Sequence, residues 1–191
     1  MQTWQLIGKK TTAVRKWIWT IIFGLANLKA EKICFPQSGF ELVFILSVNG
    51  TDCPIEEPHP FLTSWFPQKF KGAGVKCKVA LDVMMGNCAW INGPFEATES
   101  DITMCQEGLR QLSPEGRFVV ADKEHQGEPA TISYPNELDD KRVAAIKRRI
   151  RVHQETFFSG MKAFQVPQQP FRHKPVMEKH EACFIAVAVL V

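Results

Sequence analysis

Three residues in the stretch 151–162 are spaced to put chemistry on one helix face: Arg151, Glu155 four residues on, and Lys162 seven beyond that. At 3.6 residues per turn these side chains share a face. A carboxylate set between two cations suits a station for a metal ion and a phosphate. A second acid, Asp122, closes a short apolar run, Phe118-Val119-Val120-Ala121. Position 49 follows an earlier apolar run and holds Asn where a third acid would serve. An amide oxygen can touch a cation, but it carries no charge and cannot bridge two ions as a carboxylate does. Asn49 therefore limits any enzymatic reading of Asp122 and Glu155.

The elements that must position these residues are legible as patterns. Phe40 to Val48 is continuously apolar and of strand length, which suits a central strand covered on both faces. Asn49-Gly50-Thr51 reads as the turn that ends it. A loop with Pro54, Pro58, Pro60 and Pro67 follows. Val75 to Met84 and Cys88 to Asn92 read as a hairpin turning at Gly86-Asn87, with Gly93-Pro94 as its stop. Ser100-Asp101 caps a helix running to about Leu112, with Ile102, Cys105 and Leu109 on one side. Phe118 to Ala121 is a strand leading to Asp122. A polar loop then gives way to a long helix from about Leu138 to Phe164. The segment 176–191 reads as helix with a tail that strand would also accept. The order predicts an α/β fold, a mixed sheet flanked by helices, whose loop chemistry gathers at the carboxyl ends of strands.

Composition agrees with a folded body. With 191 residues, 45% apolar and 23% charged, the chain is one globular domain able to bury a core. Two regions are expected: a helical extension over 1–39 and the sheet-bearing domain over 40–191. In the extension, Trp17, Ile21 and Leu25 recur at helical spacing, as do Ile18 and Ile22. That apolar run is about half of the ~20 residues a bilayer span needs, so a packed helix is the reading. No small-x-small cleavage site follows it cleanly, and a signal peptide is the runner-up. The six cysteines form no Cys-x-x-Cys pair and read as buried free thiols rather than zinc ligands. A net charge of +3 is too mild to imply nucleic acid, but Lys141, Arg142, Lys147, Arg148, Arg149 and Arg151 crowd one segment. Their neighbours Asp139 and Asp140 balance them in part. Such a run is either a solvated helix face or a phosphate track with salt-dependent affinity. Lys69, Lys71, Lys76 and Lys78 could extend the track.

Several blocks in this order resemble the DDE transposase superfamily, in particular its Harbinger-type nuclease domain. Asn49-Gly50-Thr51 resembles the family's Asp-Gly-Thr block, and Trp90-Ile91-Asn92-Gly93-Pro94-Phe95 with Glu99-Ser100-Asp101 its hairpin return. Val120-Ala121-Asp122-Lys123 resembles the Ala-Asp-Lys-Gly-Tyr block, with Glu124-His125 in place of Gly-Tyr. Arg151, Glu155 and Lys162 match the third block, and Phe171-Arg172-His173 with 180–191 resemble the C-terminal segment. The resemblance covers roughly residues 40 to 191. It implies an RNase H-like fold and an Asp-Asp-Glu triad holding two divalent ions, Mg²⁺ or Mn²⁺, that drive in-line displacement on DNA. Carried over, the catalytic positions are Asn49, Asp122 and Glu155, with Asp122 and Glu155 as metal ligands. Lys147, Arg148, Arg151 and Lys162 would lie near DNA phosphates.

The expected function is a transposase-derived DDE endonuclease domain impaired by Asn49. One alternative is a competent metal-dependent endonuclease in which Asp52 or a backbone carbonyl replaces the first acid, although Asp52, three residues along an extended strand, would point to the opposite face. The other alternative is a non-catalytic DNA- or protein-binding module. No helix-turn-helix module is recognisable ahead of the core, which leaves room for a DNA-binding partner protein. A DNA substrate and the Lys147-Arg148-Arg149-Ile150-Arg151 run argue for the nucleus. Read alone, Asp101 is a helix N-cap, and His125, His153 and His180 lack metal spacing.

Overall fold

The computed structural model describes residues 11–36, 42–67, 71–106, 108–122 and 131–191. Two helices open it, α1 (Thr11–Ala26) and α2 (Lys29–Lys32). Then come β1 (Phe44–Pro54), a 3₁₀ turn at Thr63–Trp65, and the hairpin β2 (Gly74–Asp82) with β3 (Cys88–Glu96). The short helices α3 (Asp101–Gln106) and α4 (Leu109–Leu112) lead to β4 (Phe118–Val120) and β5 (Ile132–Ser133). The chain ends with α5 (Lys141–Lys162) and α6 (Val176–Leu190).

The five strands form one mixed sheet in the order β3-β2-β1-β4-β5. β2 runs antiparallel to both its neighbours, while β4 lies parallel to β1 and β5 parallel to β4. The apolar run of β1 suits its place: Ile45, Leu46 and Val48 are buried between helical layers. On one face Val75, Cys77, Val79 and Leu81 pack against Phe157, Phe158 and Met161 of α5 and Cys183, Phe184 and Ile185 of α6. On the other, Leu46, Val48, Ala80 and Val119 pack against Cys105 and Leu109 of α3 and α4. The alternation of faces along each strand is the period-2 geometry of extended chain.

Several boundaries depart from the sequence reading. Asn49-Gly50-Thr51 is not a turn: β1 runs straight through it, with Asn49 opposite Val79 and Gly50 opposite Lys78. The glycine serves close packing instead, since a Cβ on Gly50 would lie 2.8 Å from Lys78 Nζ. Likewise Gly93-Pro94 does not stop the hairpin, and β3 continues to Glu96. The expected helix over 100–112 is broken into α3 and α4. Its cap is Ser100, whose Oγ accepts the Thr103 N–H at 3.2 Å, rather than Asp101. β5 lies where the reading expected only loop. The 176–190 segment is wholly helical, and its residues 182–188 are all buried, as befits a helix covered on most sides.

α1 is helical, but its packed face is not the one expected. Val14 is buried, and Trp19, Ile22 and Ala26 pack against the main core, beside α6. Trp17, Ile18 and Ile21 face outward. The N-terminal helix thus shares the core of the sheet domain. No helix among the described residues is long and apolar enough to cross a membrane.

Candidate functional site

β1 and β4 run parallel only over a short stretch, with Leu46 opposite Val119 and Ser47 opposite Val120. Past that point β1 stays with β2, while the other chain leaves the sheet at Ala121-Asp122. The divergence opens a cleft of about 60 Å³ lined by Ser47, Val48, Asn49, Val120, Ala121, Asp122, Arg151, Gln154 and Glu155. Asn49, Asp122, Glu155 and Arg151, singled out from three distant parts of the sequence, border one cavity.

α5 closes this cleft for local reasons. Asp140 caps it, its Oδ1 accepting the Arg142 and Val143 N–H groups at 2.7 and 2.9 Å. Ile150, Gln154, Phe157, Phe158 and Met161 form its buried face at helical spacing. Gln154 reaches across to β1, donating from Nε2 to Ser47 O at 2.8 Å and Ser47 Oγ at 3.0 Å. At the hairpin tip Gly86 has φ 75° and packs so closely on α5 that an added Cβ would sit 2.5 Å from His153 Nδ1. Burial of Gln154 therefore fixes the height at which the next residue, Glu155, meets the cleft.

Asn49 Oδ1 accepts the Gly50 N–H at 2.8 Å, so the amide oxygen is partly engaged by its own chain. Gln154 is 4% exposed, and its Oε1 has no hydrogen-bond partner among the described residues. A buried acceptor left unpaired is costly, on the order of 1–3 kcal/mol, and marks a place where a donor or cation would be welcome. Two carboxylates and two amide oxygens are donors of the hard-oxygen kind that a Mg²⁺-like ion takes, with one carboxylate fewer than an all-acid triad would offer. Among the described residues no group of three or more His, Cys, Asp or Glu side chains is arranged to hold a metal.

Asp52 does not replace the missing acid. It pairs in register with Lys76, is absent from the cleft lining, and borders a separate small hollow with Asn49, Gly50, Thr51, Lys76, Lys78 and Asp101. There Lys78, 1% exposed, forms an ion pair with Asp101 at 2.6 Å. Lys76 Nζ donates to Glu99 O at 2.8 Å. Both lysines are thus anchored to the segment leading into α3 rather than spread along a phosphate track. Lys71 is exposed, and Lys69 lies outside the described residues.

The basic helix divides in the same way. Lys147 is 3% exposed and donates to both carboxylate oxygens of Asp139, at 2.8 and 2.9 Å, and to Tyr134 O at 2.8 Å. It is a structural cation, and the expectation that it meets DNA is corrected: its donors are spent inside the fold. The bond holds the Asp139 carboxyl below its ordinary value. Arg148, Arg151 and Lys162 are exposed. Arg148 and Arg151 border a groove of about 410 Å³ whose wall also includes the Lys147–Asp139 pair, and through Arg151 and Glu155 it runs into the cleft. Lys162 lies two turns further along α5, beyond the cavity lining.

The sequence reading missed Ser47, Gln154 and the Lys78–Asp101 pair. Each carries a faint signal: a polar residue inside an otherwise apolar strand, or on the core-facing side of a helix. His153 is half-buried against the hairpin and His180 is fully buried between Phe171 and Phe184. His125 falls outside the described residues. Comparison with protein-family models, with curated proteins and with solved structures finds no match to this chain.

Proposed function

We propose that this chain is a transposase-derived nuclease domain of the DDE type, RNase H-like in fold, whose cleavage chemistry is impaired by Asn49. The single observation that carries the reading is the shared cleft of Asn49, Asp122 and Glu155, assembled where parallel β1 and β4 end and α5 crosses. The sheet order, with β2 alone reversed, is compatible with an RNase H-like fold. Asp122 and Glu155 would hold a divalent ion, Mg²⁺ or Mn²⁺, aided by the oxygens of Asn49 and Gln154. When bound, such an ion polarises a phosphate and activates water. The chain's own part is to supply two negative charges at fixed height and to receive the sugar-phosphate backbone on Arg148 and Arg151, in a nuclear setting.

The absent first carboxylate also favours a second reading, a non-catalytic domain that grips DNA through the same groove. A nicking assay on supercoiled DNA with Mg²⁺ or Mn²⁺ decides between them. The natural chain is expected to cleave orders of magnitude more slowly than its Asn49→Asp variant, and both are expected to retain DNA with the same salt dependence. Retention without cleavage in either protein selects the binding module. Neither retention nor cleavage, in chains shown to be folded, rejects both readings.

A further inference from the structure

We propose that Asn49-Gly50 is a site of spontaneous deamidation, which places in the cleft the carboxylate that the encoded sequence lacks. An Asn followed by Gly is the dipeptide most open to this chemistry, because no side chain hinders approach to the glycine nitrogen. Here the two groups are already together: Gly50 N lies 2.8 Å from Asn49 Oδ1. Pairing with β4 has stopped at Ser47, so β1 borders the cleft at this point, and both residues are half-buried rather than sealed. Water therefore has a route to the reacting atoms.

The step balances without any added oxidant or reductant. Gly50 N gives up its proton and bonds to Cγ of Asn49. The Cγ–Nδ2 bond breaks, ammonia departs with a proton, and a succinimide ring remains. One water molecule then opens the ring. Opening at the carbonyl derived from the side chain restores the normal main chain and leaves an aspartate at position 49. Opening at the main-chain carbonyl leaves an isoaspartyl link that lengthens β1 and disturbs its pairing with Val79 and Lys78.

The chain holds its own control. Asn92-Gly93 makes the same contact at 3.0 Å. Yet Asn92 Nδ2 is drawn toward Met104 O at 3.5 Å, and Gly93 is wedged so tightly that a Cβ would lie 2.7 Å from Lys76 O. Ring closure needs both residues to rotate: Gly50 is close-packed too, an added Cβ lying 2.8 Å from Lys78 Nζ, but its neighbour is the end of a side chain, whereas Gly93 lies against main chain that cannot move aside.

The modification needs only the Asn49-Gly50 geometry, whereas its functional consequence rests on the cleft reading given above. The test ages the purified full chain at mildly alkaline pH and maps its peptides by mass spectrometry, with the Asn49→Asp chain as the authentic product standard. Conversion at Asn49 severalfold faster than at Asn92 is expected, with part of the product matching the standard and the rest isoaspartyl by fragmentation. Conversion at Asn49 equal to or slower than at Asn92 overturns the proposal. Mn²⁺ titration of the aged and Asn49→Asp chains separates the two ideas. Conversion without any gain in Mn²⁺ affinity in either protein upholds the modification and rejects the metal cleft.

Discussion

Gln154 shows how one buried side chain sets up a site it was never suspected of serving. Its Nε2 bonds to Ser47 tie α5 to β1, and its Oε1, unpaired among the described residues, adds acceptor character to a cleft already acidic. Gln154→Ala removes both bonds and strands the Ser47 carbonyl. The expected cost is about 2 kcal/mol of unfolding free energy, read as a lower urea midpoint at unchanged slope. A loss well under half of that would mean the helix is held by Phe157, Phe158 and Met161 alone. The neighbouring Glu155 was visible in the sequence through its spacing from Arg151 and Lys162. Gln154 carried only the faint signal of a polar residue in phase with Ile150, Phe157 and Met161, which does not say what its amide would meet.

Among the elements, α5 does two jobs with one row of cations. Lys147 is buried against Asp139 in the wall of the groove, whereas Arg148 is exposed beside it. Arg148→Ala is expected to lower the salt dependence of DNA retention by about one unit of slope, with little effect on stability. Lys147→Ala is expected to leave that slope unchanged and to destabilise the start of α5, followed by helix circular dichroism on heating. Acid should act in the same place. Asp139 has a lowered folded pKa, so its contribution is present above its ordinary value of 3.8 and disappears as pH falls through the lower folded value. A Lys147→Ala chain should lose that acid sensitivity. Periodicity alone could not sort the cations, since all belong to one charged run. Burial of Lys147 above half-buried Phe44, with the ring centroid 5.9 Å from Nζ, shows which side faces in.

At the scale of the whole molecule, one core joins the N-terminal helix, the sheet and the last two helices. Cys53, Cys77, Cys88 and Cys183 are buried free thiols within it, Cys105 is buried in the cluster on the other face of the sheet, and Cys34 is exposed. Burial drives the Cys88 thiol up to about 12 and the Cys105 and Cys183 thiols to about 11. In native buffer, mass-tag labelling is expected to modify Cys34 quickly and the other five only after unfolding. Rapid labelling of Cys183 in particular would mean that α6 does not stay packed beneath α1.

The sequence by itself determined which segments are apolar enough to be covered, where α5 lies, and which acids stand at the ends of strands. Those properties are local, since they follow from the period of the chain and from turn chemistry. Tertiary structure decided that β1 passes through Asn49-Gly50 without turning, because Lys78 from the neighbouring strand fills the space a side chain would take. It decided that Asp52 stays out of the cleft lining, because strand pairing carries the period of two past the apparent turn. It also decided which cations remain for a ligand, because Asp101, far along the chain from Lys78, and Asp139, just ahead of the helix that carries Lys147, satisfy those lysines inside the fold. Ion pairing and register depend on neighbours brought by folding, and no pattern along one strand or helix contains them.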